Sequence, residues 1–277
     1  SRGLGDVYKR QIYPQEESQL AYVWREYMPS DRYDCGNTDF CNDGDKLHSI
    51  KILEDFMSEK ILLIDGHSIL NRAFYGLPDL TNSEGKHTGA VYGFLNILLR
   101  TIEEEKPQYL TVAFDLKAPT FRHKMFEAYK GTRKPMPEEL REQVPLIKEM
   151  LTAMGVNVVT KEGYEADDIL GTLARKSEAA GMDATILSGD RDLLQLATDK
   201  VMIRLPKTVR GKTTIEDYHA QQVIEKYQVT PPQIIELKAL MGDSADNIPG
   251  IPGVGEKTAT KIIVCLLYTS PSPRDCS

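Results

Sequence analysis

Short apolar runs alternate with longer amphipathic segments through the middle of the chain. Four of the runs have the length and composition of buried parallel strands, and they lie at 60–65, 109–115, 183–188 and, more weakly, 157–159. Helical periodicity fills the segments between them, at 89–105, 138–154 and 166–180. Strands that alternate with helices predict an α/β fold, in which a central, mostly parallel sheet carries helices on both faces.

The same pattern predicts how the chain is divided. We expect an α/β core at 57–217 and a small helical lobe at 218–264, because the segments from His219 onward are helical. Residues 1–56 show no clear periodicity, so we interpret them as a non-native or unstructured extension before a natural start at Met57. We expect the helical lobe to be truncated within its last helix.

The coding sequences of the two ends of the chain can be related to each other. Asp6-Val-Tyr-Lys-Arg-Gln11 and Cys265-Leu-Leu-Tyr-Thr269 can be encoded by one DNA element and its reverse complement. That element resembles the transposon end used in preparing sequencing libraries. We therefore interpret 1–11 and 265–277 as adapter-derived, with two native tails of matching codons as the alternative.

Nine carboxylates follow apolar runs or open helices. They are Asp65, Asp115, Glu165, Asp167, Asp168, Asp190, Asp192, Asp243 and Asp246. Parallel strands end at one edge of a sheet, so several of these acids should meet there and need cations to offset their repulsion. Helix capping explains any one acid more simply, but the set as a whole favours a metal site.

The chemistry of these ligands favours particular ions. Oxygen ligands without His or Cys select Mg²⁺ or Mn²⁺ over Zn²⁺. Two such ions about 4 Å apart can hold a phosphodiester, with one activating water and the other neutralising the leaving 3′ oxygen. This chemistry needs no protein nucleophile, and the sequence has no signature of one.

A basic segment follows Asp115. The net charge of -7 comes from the clustered acids, whereas 117–134 contains a single acid among many cations. Aromatic and basic residues alternate there, which favours nucleic-acid binding through Arg122 and Lys124, and through a stacking ring, Tyr129, beside catalytic Lys130 and Arg133. A solvated surface helix is the alternative interpretation.

A glycine-rich hairpin follows in the helical lobe. In Gly250-Ile-Pro-Gly-Val-Gly255 the glycines allow backbone N–H groups to approach phosphate closely. Lys257 and Thr258 open the next helix, whose dipole favours an anion. We therefore predict DNA-backbone contacts at Gly253, Gly255, Lys257 and Thr258.

These motifs together resemble the 5′ nuclease domain found at the N-terminus of bacterial DNA polymerase I, which is related to flap endonucleases. The resemblance covers about 57–263. It rests on Ile64-Asp-Gly66, Ala113-Phe-Asp115, Tyr129-Lys130 with Arg133, Tyr164-Glu-Ala-Asp-Asp168, Gly189-Asp-Arg-Asp192 and Gly242-Asp-Ser-Ala-Asp-Asn-Ile-Pro-Gly250.

The resemblance implies a helical arch near 120–150 for the 5′ single strand and a helix-three-turn-helix element that grips duplex DNA and can bind K⁺. It also implies removal of RNA primers and 5′ flaps in replication and repair, acting on nicked or flapped DNA, and we expect a monomer. One departure is at the C-terminus, where the second helix of that element and any later segments are expected to be missing.

The positions of the cysteines and the lengths of the apolar stretches bear on location. The cysteines lie near the two ends and no apolar stretch is long enough for a membrane span, which favours a reduced, cytoplasmic compartment. The family resemblance implies a bacterial, nucleoid-associated protein.

Two other functions compete with the nuclease interpretation. A nuclease-like module that binds DNA without cutting is one alternative, but none of the acids is lost. A Mg²⁺-dependent phosphatase for small molecules is another, against which the basic segment and the hairpin argue.

Overall fold

A six-stranded sheet forms the centre of the computed structural model, which describes residues 59–209 and 212–268. Its strands are β1 (Lys60–Asp65), β2 (Tyr109–Ala113), β3 (Asn157–Val159), β4 (Asp183–Leu187), β5 (Val201–Val209) and β6 (Lys212–Tyr218). They lie in the order β3-β2-β1-β4-β5-β6, and all neighbouring pairs are parallel except β5 with β6. The predicted α/β fold and the four predicted strands are confirmed.

Helices cover both faces of the sheet. They are α1 (Gly66–Gly76), α2 (Gly89–Glu105), α3 (Phe121–Met125), α4 (Glu138–Arg141), α5 (Gln143–Ala153), α6 (Ala166–Ala179), α7 (Ala220–Tyr227), α8 (Gln233–Met241) and α9 (Glu256–Tyr268). Successive residues of β1 point to opposite faces, so Leu62 and Ile64 pack with α1, α2, α4 and α5, whereas Ile61 and Leu63 pack with α6 to α9. The apolar run of β1 is therefore buried on both sides.

The antiparallel pair β5 and β6 was not predicted. Its first strand contains Pro206, which cannot donate to a neighbouring strand, and Arg204, a charge within an otherwise apolar run. Arg204 is nevertheless buried, because its guanidinium contacts Glu105 at 2.7 Å and Asp217 at 2.8 Å. Sequence periodicity does not reveal such a paired charge, so the strand pattern was missed.

The segment predicted as an arch is only partly separate from the core. The single helix expected at 138–154 is divided at Glu142, three residues before Pro145, whose ring is incompatible with a continuous helix through the preceding turn. Ile147 and Leu151 are fully buried against the sheet. The expectation of an arch extending to 150 was therefore wrong, because its C-terminal part is core helix.

The C-terminal helices share the core of the sheet. Val223 of α7, Leu237 of α8 and Ile263 of α9 belong to the same hydrophobic cluster as Leu63. Helix α9 has 13 residues and continues to Tyr268. The helix that follows the hairpin is therefore present over these residues, whereas the truncation of the lobe near 264 and the adapter origin of 265–268 stay predictions.

Some expectations lie outside the described residues. These are the interpretations of 1–56 and Met57, and the part of the C-terminal tail beyond Tyr268. Within the described ranges, none of the helices has both the length and the apolar character that a bilayer crossing requires.

Candidate metal-dependent active site

Four carboxylates meet at the carboxyl edge of the sheet. Asp65 ends β1, Asp115 follows β2 and Asp190 follows β4, so parallel strands bring these three residues to one edge. Asp167 joins them from the first turn of α6. Together they line a cleft of about 270 Å³. We call these four residues the carboxylate cluster.

Burial and mutual repulsion disfavour the charged forms of two carboxylates in the cluster. Burial raises the pKa of Asp65 to about 6, and Asp115 adds to the rise. Burial also raises the pKa of Asp167 to about 8, with further contributions from Asp65, Asp190 and Asp115. One oxygen of Asp167, Oδ1, is buried without a hydrogen-bond partner. Such an arrangement of oxygen donors fits a divalent cation, which would offset the repulsion.

Backbone and hydroxyl groups orient two members of the cluster. The N–H of Ser68 and the hydroxyl of Ser188 donate to Asp65 at 3.0 and 2.9 Å. The N–H of Ala166 donates to Asp115 at 2.6 Å. Burial would raise the pKa of Asp115, but bonds from His67 and Ala166 outweigh it and hold the pKa below its ordinary value.

Two predicted ligands at the start of α6 are instead paired with protein cations. Glu165 accepts from Lys130 Nζ at 2.8 Å and from the Tyr129 hydroxyl at 3.1 Å. Asp168 accepts a two-point contact from Arg122, with both distances 2.8 Å. The Asp168 contact, together with the charge of Glu165, raises the pKa of Arg122. A metal role for Glu165 and Asp168 stays a prediction.

The three remaining acids lie further along the same edge. Lys238 Nζ lies between Asp192 and Asp243, at 2.7 and 3.0 Å from their oxygens. Asp246 pairs with Arg133. No group of three His, Cys, Asp or Glu side chains within 59–209 and 212–268 is arranged ready to hold a metal ion. A metal role for Asp192, Asp243 and Asp246 also stays a prediction.

Tyr129, for which a stacking role was predicted, packs against other protein groups. Its side chain is buried, with 5% of its surface exposed, and its ring packs edge-on against His123 with centroids 5.1 Å apart. Its hydroxyl donates to Glu165 and to Asp246, and burial with these charges raises its pKa. The ring is therefore enclosed by protein groups in this structure, and a stacking role for Tyr129 stays a prediction.

The predicted DNA-backbone contacts of the helical lobe lie at the surface. Gly253 has a φ of 80°, a conformation that favours glycine. Gly255, Lys257 and Thr258 are exposed where α9 begins. Lys124 is also exposed, in contrast to the paired Arg122. The hairpin and Lys124 are therefore accessible to a ligand.

Comparison with sequence families decides the relationship. Residues 60–228 match the family described as "5'-3' exonuclease, N-terminal resolvase-like domain", and 229–266 match "5'-3' exonuclease, C-terminal SAM fold". The chain belongs to the 5′-3′ exonuclease family. This match confirms the predicted resemblance. The carboxylate cluster lies within the matched exonuclease domain, at the carboxyl edge of its sheet.

Relatives of this exonuclease domain include bacterial DNA polymerases I. It is 52% identical over 205 residues to DNA polymerase I of Bacillus subtilis (strain 168), covering 74% of this chain and 23% of the relative. For the thermostable DNA polymerase I of Thermus thermophilus the values are 43% over 204 residues, 74% and 24%. The chain therefore spans about a quarter of these relatives.

Solved structures support the same fold. The bacteriophage T5 D15 protein, co-crystallised with metal ions, is 25% identical, with a TM-score of 0.59 and coverage of 74% of each chain. A T5 5′-exonuclease with bound divalent zinc ions has a TM-score of 0.59 at 25% identity, and the match covers 78% of this chain and 80% of the T5 chain.

Sequence reasoning missed the residues that orient the cluster. The backbone N–H of Asp115 donates to His67 Nδ1 at 3.2 Å, and Nδ1 also lies 3.4 Å from a carboxylate oxygen of Asp115. The His67 ring packs edge-on against Phe114. Ser188 is completely buried beneath Asp65. The signal for both was their position, since each lies within two residues of a strand-end acid in this exonuclease domain.

Proposed function

We propose that this domain hydrolyses phosphodiester bonds of DNA from the 5′ end and at 5′ flaps, with Mg²⁺ or Mn²⁺ as its ions. The observation that carries the proposal is the carboxylate cluster. Burial, with added repulsion from the neighbouring carboxylates, raises the pKa values of Asp65 and Asp167. That repulsion has no structural benefit, and it is relieved by cations.

In this proposal, different side chains bind the ions, orient the carboxylates and bind the phosphate. The carboxylate cluster would hold the ions, which supply an activated water and stabilise the charge on the leaving oxygen. Ser188 and the N–H of Ser68 keep Asp65 oriented, while His67 keeps Asp115 oriented. Lys130 would release Glu165 and bind the oxygens of the scissile phosphate.

The substrate contacts are assigned on the same basis. DNA with 5′ flaps, nicks or RNA primers would bind along the basic segment and the exposed hairpin at 250–258. A K⁺ ion at that hairpin and a monomeric state are part of the proposal. The similarity to a T5 5′-exonuclease with divalent ions and to DNA polymerases I supports the assignment of DNA as substrate and of divalent ions as cofactors.

A labelled 5′-flap duplex tests the proposal. The domain is incubated with the flap, with a nicked duplex and with p-nitrophenyl phosphate, each with Mg²⁺, with Ca²⁺ and with EDTA. We expect cleavage of the flap near the junction with Mg²⁺, and none with EDTA.

Two outcomes contradict the proposal. Binding of the flap without cleavage in any divalent ion would identify a non-cutting DNA-binding module. Hydrolysis of p-nitrophenyl phosphate with an intact flap would identify a phosphatase for small molecules.

A further inference from the structure

Two residues beside the carboxylate cluster, Lys130 and Asn247, have left-handed backbone conformations. Lys130 has a φ of 56° and Asn247 a φ of 58°. Asn adopts this conformation readily, but Lys does so at a cost that surrounding contacts must offset. Those contacts come from the loop 244–247. The N–H of Lys130 donates to the carbonyl of Asp246 at 2.9 Å, and the side-chain amide of Asn247 donates to the carbonyl of Ala128 at 2.8 Å.

The same loop also contacts two neighbours of Lys130, Arg133 and Tyr129. Arg133 Nε donates to the carbonyl of Ala245 at 3.1 Å, and the Tyr129 hydroxyl donates to Asp246 at 3.0 Å. Tyr129, Lys130 and Arg133 therefore all depend on 245–247 for their placement.

The loop is itself tied to the hairpin. Its ends form a two-stranded pair, β7 (Gly242–Asp243) with β8 (Ile248–Pro249). Gly250 follows directly, and a Cβ atom there would clash with the backbone of Met241, so the chain passes too closely for any side chain. The connection from the end of α8 to the hairpin is short and closely packed, which allows a displacement at one end to reach the other.

We propose that Asn247 is a positioning residue, which couples the hairpin at 250–258 to the basic segment so that Lys130 is aligned when the hairpin holds a duplex. The inference rests on the proposed function. Asn247 itself touches no substrate. Its amide fixes the carbonyl of Ala128, which lies two residues before Lys130, and thereby fixes the backbone that presents the lysine to the phosphate.

Replacing Asn247 with Gly or with Asp tests the coupling. Gly keeps the left-handed backbone and removes the amide, and Asp keeps the shape but its carboxylate cannot donate to a carbonyl. We expect both variants to cut a 5′-flap duplex about tenfold more slowly at saturation, the scale of one hydrogen bond, with affinity within about twofold of wild type.

A double-mutant cycle separates positioning from a general structural role. In a Lys130→Ala background, Asn247→Gly should lose most of its effect, because the residue it positions is gone. Gln228→Gly is the matched control, since Gln228 is also left-handed, with a φ of 60°, at the end of α7. That control should cut at the wild-type rate.

The cleavage rates distinguish failure of this coupling from failure of the proposed function. Wild-type cleavage of the flap with Mg²⁺ establishes the reaction independently of Asn247. If Asn247→Gly then cuts at the wild-type rate, or its effect adds fully to that of Lys130→Ala, the coupling is refuted. A loss that appears only in affinity would refute it as well.

Discussion

The carboxylate cluster and the basic segment beside it are held in different ways. The cluster stands on strand ends and a helix start, and backbone N–H groups and a buried serine orient it. The basic segment at 117–134 contains only the five-residue helix α3, and three of its cations, Arg122, Lys130 and Arg133, are held by acids or by the loop 245–247. The cluster is therefore part of the rigid scaffold, whereas the basic segment depends on partners that substrate and metal must displace.

The largest expected effect comes from breaking the cluster. Asp115→Ala or Asp190→Ala should lower cleavage by about a thousandfold or more, because a missing ligand removes metal-assisted hydrolysis. DNA binding should stay near wild type or tighten, since repulsion toward phosphate falls. Single-turnover rates and binding curves measure the two effects. Cleavage within tenfold of wild type would refute the assignment of the cluster.

Substitutions in the basic segment should slow cleavage less than substitutions in the carboxylate cluster. Lys130→Ala or Arg133→Ala should slow cleavage at saturating substrate by roughly a hundredfold, a few kcal/mol of barrier, with a small change in affinity. One phosphate contact is a minor share of the total attraction, but its role in the transition state is large. Lys134→Ala, beside Arg133 and exposed, is the control. Variants that lose only affinity would show a general basic surface.

The burial of Asp167 among other carboxylates predicts that the metal-free protein loses stability as pH rises. The pKa of Asp167 rises from 3.8 to about 8 on folding, so between these pH values the folded state binds more protons than the unfolded state. The free energy of unfolding therefore falls as pH rises through this window. Asp167→Asn should stabilise the metal-free protein at pH 8 by about 1–3 kcal/mol, with a smaller gain at pH 5.

Chemical denaturation in EDTA at the two pH values measures this effect. Asp115→Asn is the matched control, because the pKa of Asp115 lies below its ordinary value and its charged form is already stabilised. That variant should gain no stability. A stability gain of Asp167→Asn that is equal at pH 5 and pH 8 would show that the buried charge of Asp167 is not its cause.

The same contrast explains what sequence reasoning could reach. Strand periodicity placed Asp65, Asp115 and Asp190 at one edge, because a buried parallel strand leaves a strong local signal. The partners of the basic segment gave no such signal. The contact of Tyr129 with Asp246 was not foreseen, because it joins residues 117 positions apart. The pairing that allows Arg204 to be buried within β5 is likewise non-local, since its partner Glu105 lies on α2.

The smallest expected effect concerns the hairpin, which has neither the rigidity of the cluster nor the paired cations of the basic segment. Lys257 is exposed at the start of α9, so Lys257→Ala should weaken DNA binding a few-fold and lower the slope of log affinity against log salt by about 1. The cleavage rate at saturation should be unchanged, since the lysine lies away from the scissile phosphate. Lys200→Ala removes an equal charge at the opposite edge of the sheet, where β5 begins, and should alter neither quantity. Equal salt slopes for Lys257→Ala and Lys200→Ala would show that the hairpin makes no phosphate contact through this residue.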